Sequence, residues 1–96
     1  MKLEQNECYR MLISAILSLK NEEEAALFLD DLMTRKEILD AAQRMLVAKM
    51  LSDKVVYSKI AEETGASTAT ISRVNRSYQY GEGGYRTVLE RIFEEK

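Results

Sequence analysis

Apolar residues recur at helical spacing along nearly the whole chain, and polar clusters cut that pattern into separate segments. A first helix is expected over Leu3 to Leu19. Its stretch Cys8, Tyr9, Met11, Leu12, Ile13, Ala15, Ile16, Leu17 and Leu19 is apolar nearly all round, wider than the stripe one neighbour covers. Such a helix is buried on two sides, and in a chain this short a second subunit is the natural cover. Asn21-Glu-Glu-Glu24 has capping-box form and opens a helix carrying Ala25, Leu27, Phe28, Leu29 and Leu32. Thr34-Arg-Lys-Glu37 is a second capping box. It opens a long helix whose apolar positions include Ile38, Leu39, Ala42, Leu46 and Met50, and Ser52-Asp53-Lys54 reads as the turn that ends it. Near the C-terminus, Tyr78-Gln-Tyr-Gly-Glu-Gly-Gly84 reads as a loop by its glycines, and Tyr85 to Phe93 as a closing helix with Val88, Leu89, Ile92 and Phe93 on its buried side.

Between the long helix and that loop lies the most specific signal in the chain. Residues 57 to 74 read Tyr-Ser-Lys-Ile-Ala-Glu-Glu-Thr-Gly-Ala-Ser-Thr-Ala-Thr-Ile-Ser-Arg-Val. Two short helices crossing steeply need a small residue at the crossing, which Ala61 supplies, and a residue tolerant of positive φ in the turn, which is Gly65. Ile60, Ile71 and Val74 fall where the two helices share a core, and Ser67 stands where it caps the second helix, which is expected to last to about Ser77. These positions together define a helix-turn-helix. The exposed face of a second helix of this kind enters the major groove, and here that face offers Thr68, Ala69, Ser72 and, at its far end, Arg76, with Ser67 at its start. Small hydroxyl and methyl groups allow close approach to base edges. Tyr57, Ser58 and Lys59 open the first motif helix and are placed for phosphate contact.

Composition narrows the function classes. At 96 residues, with no Pro, only 4 Gly and 46% hydrophobic residues, the chain reads as one all-α domain. There is no His and one cysteine, so metal-site and nucleophile signatures are missing from the sequence and no intramolecular disulfide can form. A reducing cytoplasm fits, and Cys8, between Glu7 and Tyr9, is expected to pack rather than react. The apolar run at 11–19 is too short to span a bilayer, and the first residues lack signal-peptide character. Glu62 and Glu63 read as a solvated helix face rather than catalytic carboxylates, so an enzyme is not expected. Tyr78, Tyr80 and Tyr85 either stack on bases or a ligand or, more commonly for such residues, pack the closing helix. Net charge is -2, but it is unevenly spread. Residues 1 to 33 hold Lys2, Arg10 and Lys20 against Glu4, Glu7, Glu22, Glu23, Glu24, Asp30 and Asp31, whereas residues 54 to 81 hold Lys54, Lys59, Arg73 and Arg76 against Glu62 and Glu63. That polarity suits a protein that meets phosphate at one end only.

The order of segments, with a Leu-Met-Thr step at Leu32 to Thr34 into a long helix and then Gly-Ala-Ser-Thr-Ala-Thr-Ile-Ser-Arg from Gly65, resembles the Trp repressor family and within it the TrpR-like YerC/YecD branch. The resemblance covers most of the chain and is sharpest over Leu32 to Arg44 and Tyr57 to Ser77. It implies a six-helix Trp repressor-like fold, a homodimer entwined through its N-terminal helices, and repression at palindromic operators. It also implies a pocket for a tryptophan corepressor. The two arginines that sandwich the indole match Arg44 and Arg73, the Leu-Thr lip matches Leu32 and Thr34, a pocket threonine matches Thr70, and a serine that helps hold the amino group matches Ser77. The glycine that leaves room beside the indole is Val74 here. A β-branched side chain there would occupy volume the ring requires, and overpacking of that kind costs roughly 1–3 kcal/mol. A family lysine used on DNA falls at Ala61, so target choice should differ.

The sequence thus leads to these expectations: dimerisation helices over 1–51, a helix-turn-helix over 56–77 and a closing helix over 84–95, in a cytoplasmic homodimer that binds double-stranded DNA. No cofactor is expected, and a tryptophan-like effector is disfavoured by Val74. The rival expectation is a helical dimer that binds another protein and not DNA, for which the acidic front half speaks.

Overall fold

The computed structural model describes residues 2–93 and contains, among them, six α-helices and no strand. After a 3-10 turn at Leu3–Gln5 come α1 (Glu7–Ser18), α2 (Glu22–Leu32), α3 (Arg35–Ser52), α4 (Tyr57–Thr64), α5 (Thr68–Tyr80) and α6 (Gly84–Phe93). The chain forms two compact units that divide inside α3, after Ile38.

The first unit is built by its caps. The expected Leu3–Leu19 helix is interrupted: Asn6 is extended, and its side chain accepts the Tyr9 amide at 2.9 Å, so α1 starts only at Glu7. Asn21 accepts the Glu24 amide at 2.9 Å, while the Glu24 carboxylate reaches back one residue further than a simple capping box, to the Lys20 amide at 3.0 Å. At Thr34 the box closes reciprocally, with the Glu37 amide on the Thr34 hydroxyl at 3.1 Å and the Thr34 amide on Glu37 at 2.9 Å. No described residue of α1 or α2 is buried. Met11 and Leu17 are 73% and 79% exposed, and Ile13, Ile16, Leu27, Leu29 and Leu32 are also open. Cys8, expected to pack, is exposed with them. An apolar surface of this breadth is far more than a free-standing helix pair leaves to water.

The second unit holds the core. Val47 and Ala48 of α3, Ile60 of α4, Ala66 of the turn, Ile71 and Val74 of α5, and Leu89 of α6 are buried together. Met45, Met50, Leu51, Val55, Ala61, Tyr78 and Tyr85 pack around them. Of the apolar positions noted on α3 from sequence, Met50 packs against this core and Ile38 is half-buried. Leu39, Ala42 and Leu46 are exposed and lie on the opposite side of the helix from Val47, Ala48 and Leu51. Helix α3 is apolar on both sides, so periodicity alone does not single out the core face.

Both ends of the helix-turn-helix differ from or refine the expectation. The Ser52-Asp53-Lys54 turn is a Schellman end: the Lys54 amide bonds to Leu51 at 2.9 Å and Val55 to Met50 at 3.0 Å, with Lys54 at φ 64°. Helix α5 continues three residues past Ser77, because Tyr-Gln-Tyr contains no breaker. It stops at Gly81, where a Cβ would collide with the Ser77 carbonyl oxygen. The loop is accordingly shorter than Tyr78–Gly84, and α6 begins at Gly84 itself. On α6 only Leu89 is buried. Val88, Ile92 and Phe93 are exposed, and the Phe93 ring instead receives the Lys49 ammonium 4.6 Å from its centroid. Residues 94 and 95 of the expected closing helix lie outside the described residues.

Gly65 and Lys54 both occupy the left-handed region, one with the residue suited to it and one without. Nothing lies within 4 Å of a Cβ built on Gly65, so Gly65→Ala should cost only backbone energy, about 1–2 kcal/mol. Lys54→Gly should move stability the other way, by about 0.5–1 kcal/mol. Urea denaturation of the two variants checks both signs; equal effects of one sign would show that these turns do not hold the conformations described.

Candidate nucleic-acid interface

The helix-turn-helix is assembled by short-range rules that the sequence states openly. Helix α4 ends at Thr64, and Gly65 follows at φ 76° with its amide on the Ala61 carbonyl at 2.9 Å. The Thr64 hydroxyl donates to the Ile60 carbonyl at 2.8 Å and accepts the Ala66 amide at 3.0 Å, so one side chain stitches the helix end to the turn. Ser67, extended, then caps α5 by accepting the Thr70 amide at 3.1 Å. Its own hydroxyl donates to Thr70 Oγ1 at 3.1 Å. Ile60 and Ile71 are fully enclosed and Val74 is 2% exposed, so the crossing is sealed by the three residues expected there, with Ala61 packed beside them.

What remains outside is a narrow, small-residue surface. Thr68, Ala69, Ser72 and Arg76 are all exposed, and helical spacing puts Ala69, Ser72 and Arg76 on one side of α5. The amides of Thr68 and Ala69, in the first turn, have no intrahelical acceptor and add two donors at the positive end of the helix dipole. Ser67, counted with the contact set from sequence, is exposed but already committed to the cap. Tyr57, Ser58 and Lys59 are exposed on the first turn of α4. Lys59, however, is paired with Glu63 one turn on, at 3.2 Å, both partners being about half exposed. An open pair of this kind is weak and exchanges readily for a stronger anion. The sequence contained the i, i+4 spacing that signals it. Arg73 shares the exposed side of α5 with Arg76.

The residues matched to a ligand pocket divide between the two units. Leu32 and Thr34 belong to the first, at the end of α2 and the cap of α3; both are exposed, and the Thr34 hydroxyl is occupied by the capping box. Arg44, Thr70, Arg73 and Ser77 belong to the second. Thr70, Arg73 and Ser77 follow one another along α5 at spacings of three and four, and Arg44 is exposed on α3. The groove that reaches Ser77 has a volume of about 370 Å³ and is otherwise lined by Met45, Glu82, Gly84, Tyr85 and Val88. Val74, between Arg73 and Ser77 in sequence, is buried in the core. Of the three tyrosines, Tyr78 and Tyr85 pack against the core, and the Arg86 guanidinium lies 4.2 Å over the Tyr78 ring. Tyr80 stands 86% exposed and packs nothing.

Comparison with known proteins agrees with this architecture. The family model for the Trp repressor protein matches residues 7–93. The uncharacterized protein YerC of Bacillus subtilis (strain 168) is 53% identical over 83 residues, which are 86% of this chain and 80% of that one. Two solved structures superpose closely. A TrpR-like protein from Eubacterium eligens ATCC 27750 gives a TM-score of 0.89 at 52% identity, covering 95% of this chain and 94% of its own. A candidate Trp repressor from Staphylococcus aureus gives 0.89 at 45% identity, covering 100% and 98%. Matched along nearly its whole length by sequence and by structure, the chain belongs to the Trp repressor family.

Proposed function

We propose that the chain is a sequence-specific, DNA-binding transcriptional repressor that acts as a homodimer on a palindromic operator in the cytoplasm. Membership of a family of transcription regulators makes DNA binding the starting point. The observation that carries the reading is the outer face of α5: its first turns present only Thr68, Ala69 and Ser72, side chains short enough to let the helix backbone close on base edges, with Arg76 and Arg73 behind them for phosphates. Two such helices related by a two-fold axis and spaced about 34 Å apart would meet successive major grooves. Tyr57, Ser58 and Lys59 take backbone contacts, Lys59 by releasing Glu63.

The dimer is proposed from the first unit. With no buried residue in α1 or α2, that unit lacks a core of its own, and a second copy supplies the missing apolar neighbours. The same surface, with the acidic residues of 1–33 around it, also favours a second reading, in which the dimer binds another protein and not DNA. Salt separates the two, since affinity for duplex DNA falls steeply with ionic strength. For the effector, we propose that tryptophan is not the natural ligand. Arg44 and Arg73 are exposed, but the place where the family keeps a glycine is filled by a core valine.

Four outcomes test these readings. Ala69→Asp should abolish selection of specific sequences from random DNA while leaving assembly intact, because it brings a negative charge to base edges; unchanged affinity would remove α5 as the reader. Sedimentation at low micromolar concentration should show a dimer whose unfolding midpoint rises with concentration, and a cooperative folded monomer would end the assembly proposal. Calorimetry should find no appreciable binding of free L-tryptophan to the native chain. Val74→Gly should lose roughly 1–3 kcal/mol of stability from burial and backbone freedom. Tight tryptophan binding by the native chain would show that Val74 does not exclude it.

A further inference from the structure

We propose that Gln43 is a positioning residue for sequence reading: its hydrogen bond to the Thr64 carbonyl fixes the turn from which α5 departs, and with it the register of Thr68, Ala69 and Ser72 against base edges. The proposal rests on the DNA-reading assignment above and gives it a structural determinant outside the motif.

Gln43 lies on α3, half-buried, and its Nε2 donates to the Thr64 carbonyl oxygen at 3.1 Å, across 21 residues of sequence. Thr64 is the last residue of α4, so its carbonyl has left the helix ladder and has no intrahelical donor. The Gln43 amide meets that need from a different helix. The same residue is tied by its hydroxyl to Ile60 behind it and to the Ala66 amide ahead of it. Thr64 is therefore held from α3, from α4 and from the turn at once. Only Gly65, Ala66 and Ser67 separate it from the first residue of α5. Ala66 is buried, and Ser67 is fixed by the cap, so little slack remains between the tied carbonyl and the reading face.

The chemistry of this tie differs from that of the core it borders. Ile60, Ile71 and Val74 hold α4 and α5 together by contacts that have no preferred direction, and such contacts tolerate small rotations of one helix over the other. A hydrogen bond restricts both distance and angle. An apolar residue at position 43 would still pack, but it would leave the end of α4 free to settle in neighbouring arrangements. Base recognition depends on placement to within about 0.5 Å, whereas attraction to phosphates does not. Loss of the tie should therefore appear as lost discrimination between sequences, with general affinity for duplex DNA preserved. Gln43 carries no charge and is assigned no contact with DNA, so a direct phosphate contribution does not complicate the test.

The experiment compares the native chain with Gln43→Met, which keeps length and helix propensity but has no donor, and with Gln43→Leu as a second neutral replacement. A site is first selected from random DNA with the native chain. The ratio of affinities for that site and for a scrambled duplex is then measured for all three proteins, together with the salt dependence and with amide exchange at Gly65 and Ala66 in the free protein. The expected result is a ratio lowered by about tenfold, the size of one lost hydrogen bond, with scrambled-duplex affinity and salt slope unchanged and exchange at the turn accelerated. An unchanged ratio in either folded variant overturns the proposal. So does a parallel fall in both affinities, which is the signature of a smaller folded fraction only. If the native chain selects no sequence, the DNA-reading assignment itself fails and takes this role with it; a native chain that discriminates beside variants that discriminate equally removes Gln43 alone.

Discussion

The crossing of α4 over α5 depends on a cluster in which Val47, Ala48, Ile60 and Ile71 are fully enclosed. Two helices of eight and thirteen residues are too short to be stable alone, since most helical stability in proteins comes from tertiary packing of one face. Here that face is narrow. Ile60 is the only buried residue of α4, and α5 contributes Ile71 and Val74, so a few side chains set the angle at which α5 crosses α4. The enclosed residues come from α3 as well, which makes the long helix the platform on which the motif is set. Polar ties then refine what packing fixes coarsely: the Thr64 hydroxyl across the turn, the Ser67 cap on α5 and the Gln43 amide on the end of α4.

Much of this was legible in the sequence where local rules act alone. The Thr34 box, the Asn21 cap, the Ser67 cap and the positive φ at Gly65 each follow from residue type and spacing within a few positions, and all are present. The buried trio of the motif was legible for the same reason. Features decided by competition between neighbours were not. Helix α1 loses its first turn because the Asn6 side chain offers the Tyr9 amide a better partner than a continuing helix would. Helix α5 runs further than the glycines ahead suggest because Tyr78, Gln79 and Tyr80 contain no breaker, and the loop is confined to Gly81, Glu82 and Gly83, the last at φ 90°. The core side of α3 could not be read from periodicity, because Leu39 and Leu46 look as apolar as Val47 and only the placement of α4 to α6 decides between them. The Gln43–Thr64 bond spans 21 residues, beyond the reach of any spacing rule.

The two units differ in what they lack. The second closes its own core and leaves an exposed α5 surface made of small and basic groups. The first has well-formed caps and no core, so its helices are specified locally while the burial that would stabilise them is missing from the single chain. On the proposed reading, the front half is completed by a second copy and the back half faces DNA. That reading also explains why apolar residues crowd the first half without forming a buried cluster there: Met11, Leu17 and Leu27 contribute stability only when something else removes them from water.

Val74 links the core to the question of the effector. A glycine at this position of a helix leaves a gap beside the motif and adds backbone freedom; a small aromatic ligand entering such a gap would supply both the missing volume and the missing order. A valine supplies them permanently. Its side chain is 2% exposed, among the same residues that lock α4 to α5, so the volume is already occupied by the chain itself. On the reading proposed here, the motif is therefore set without a corepressor, and the exposed Arg73 serves the phosphate backbone rather than a bound indole.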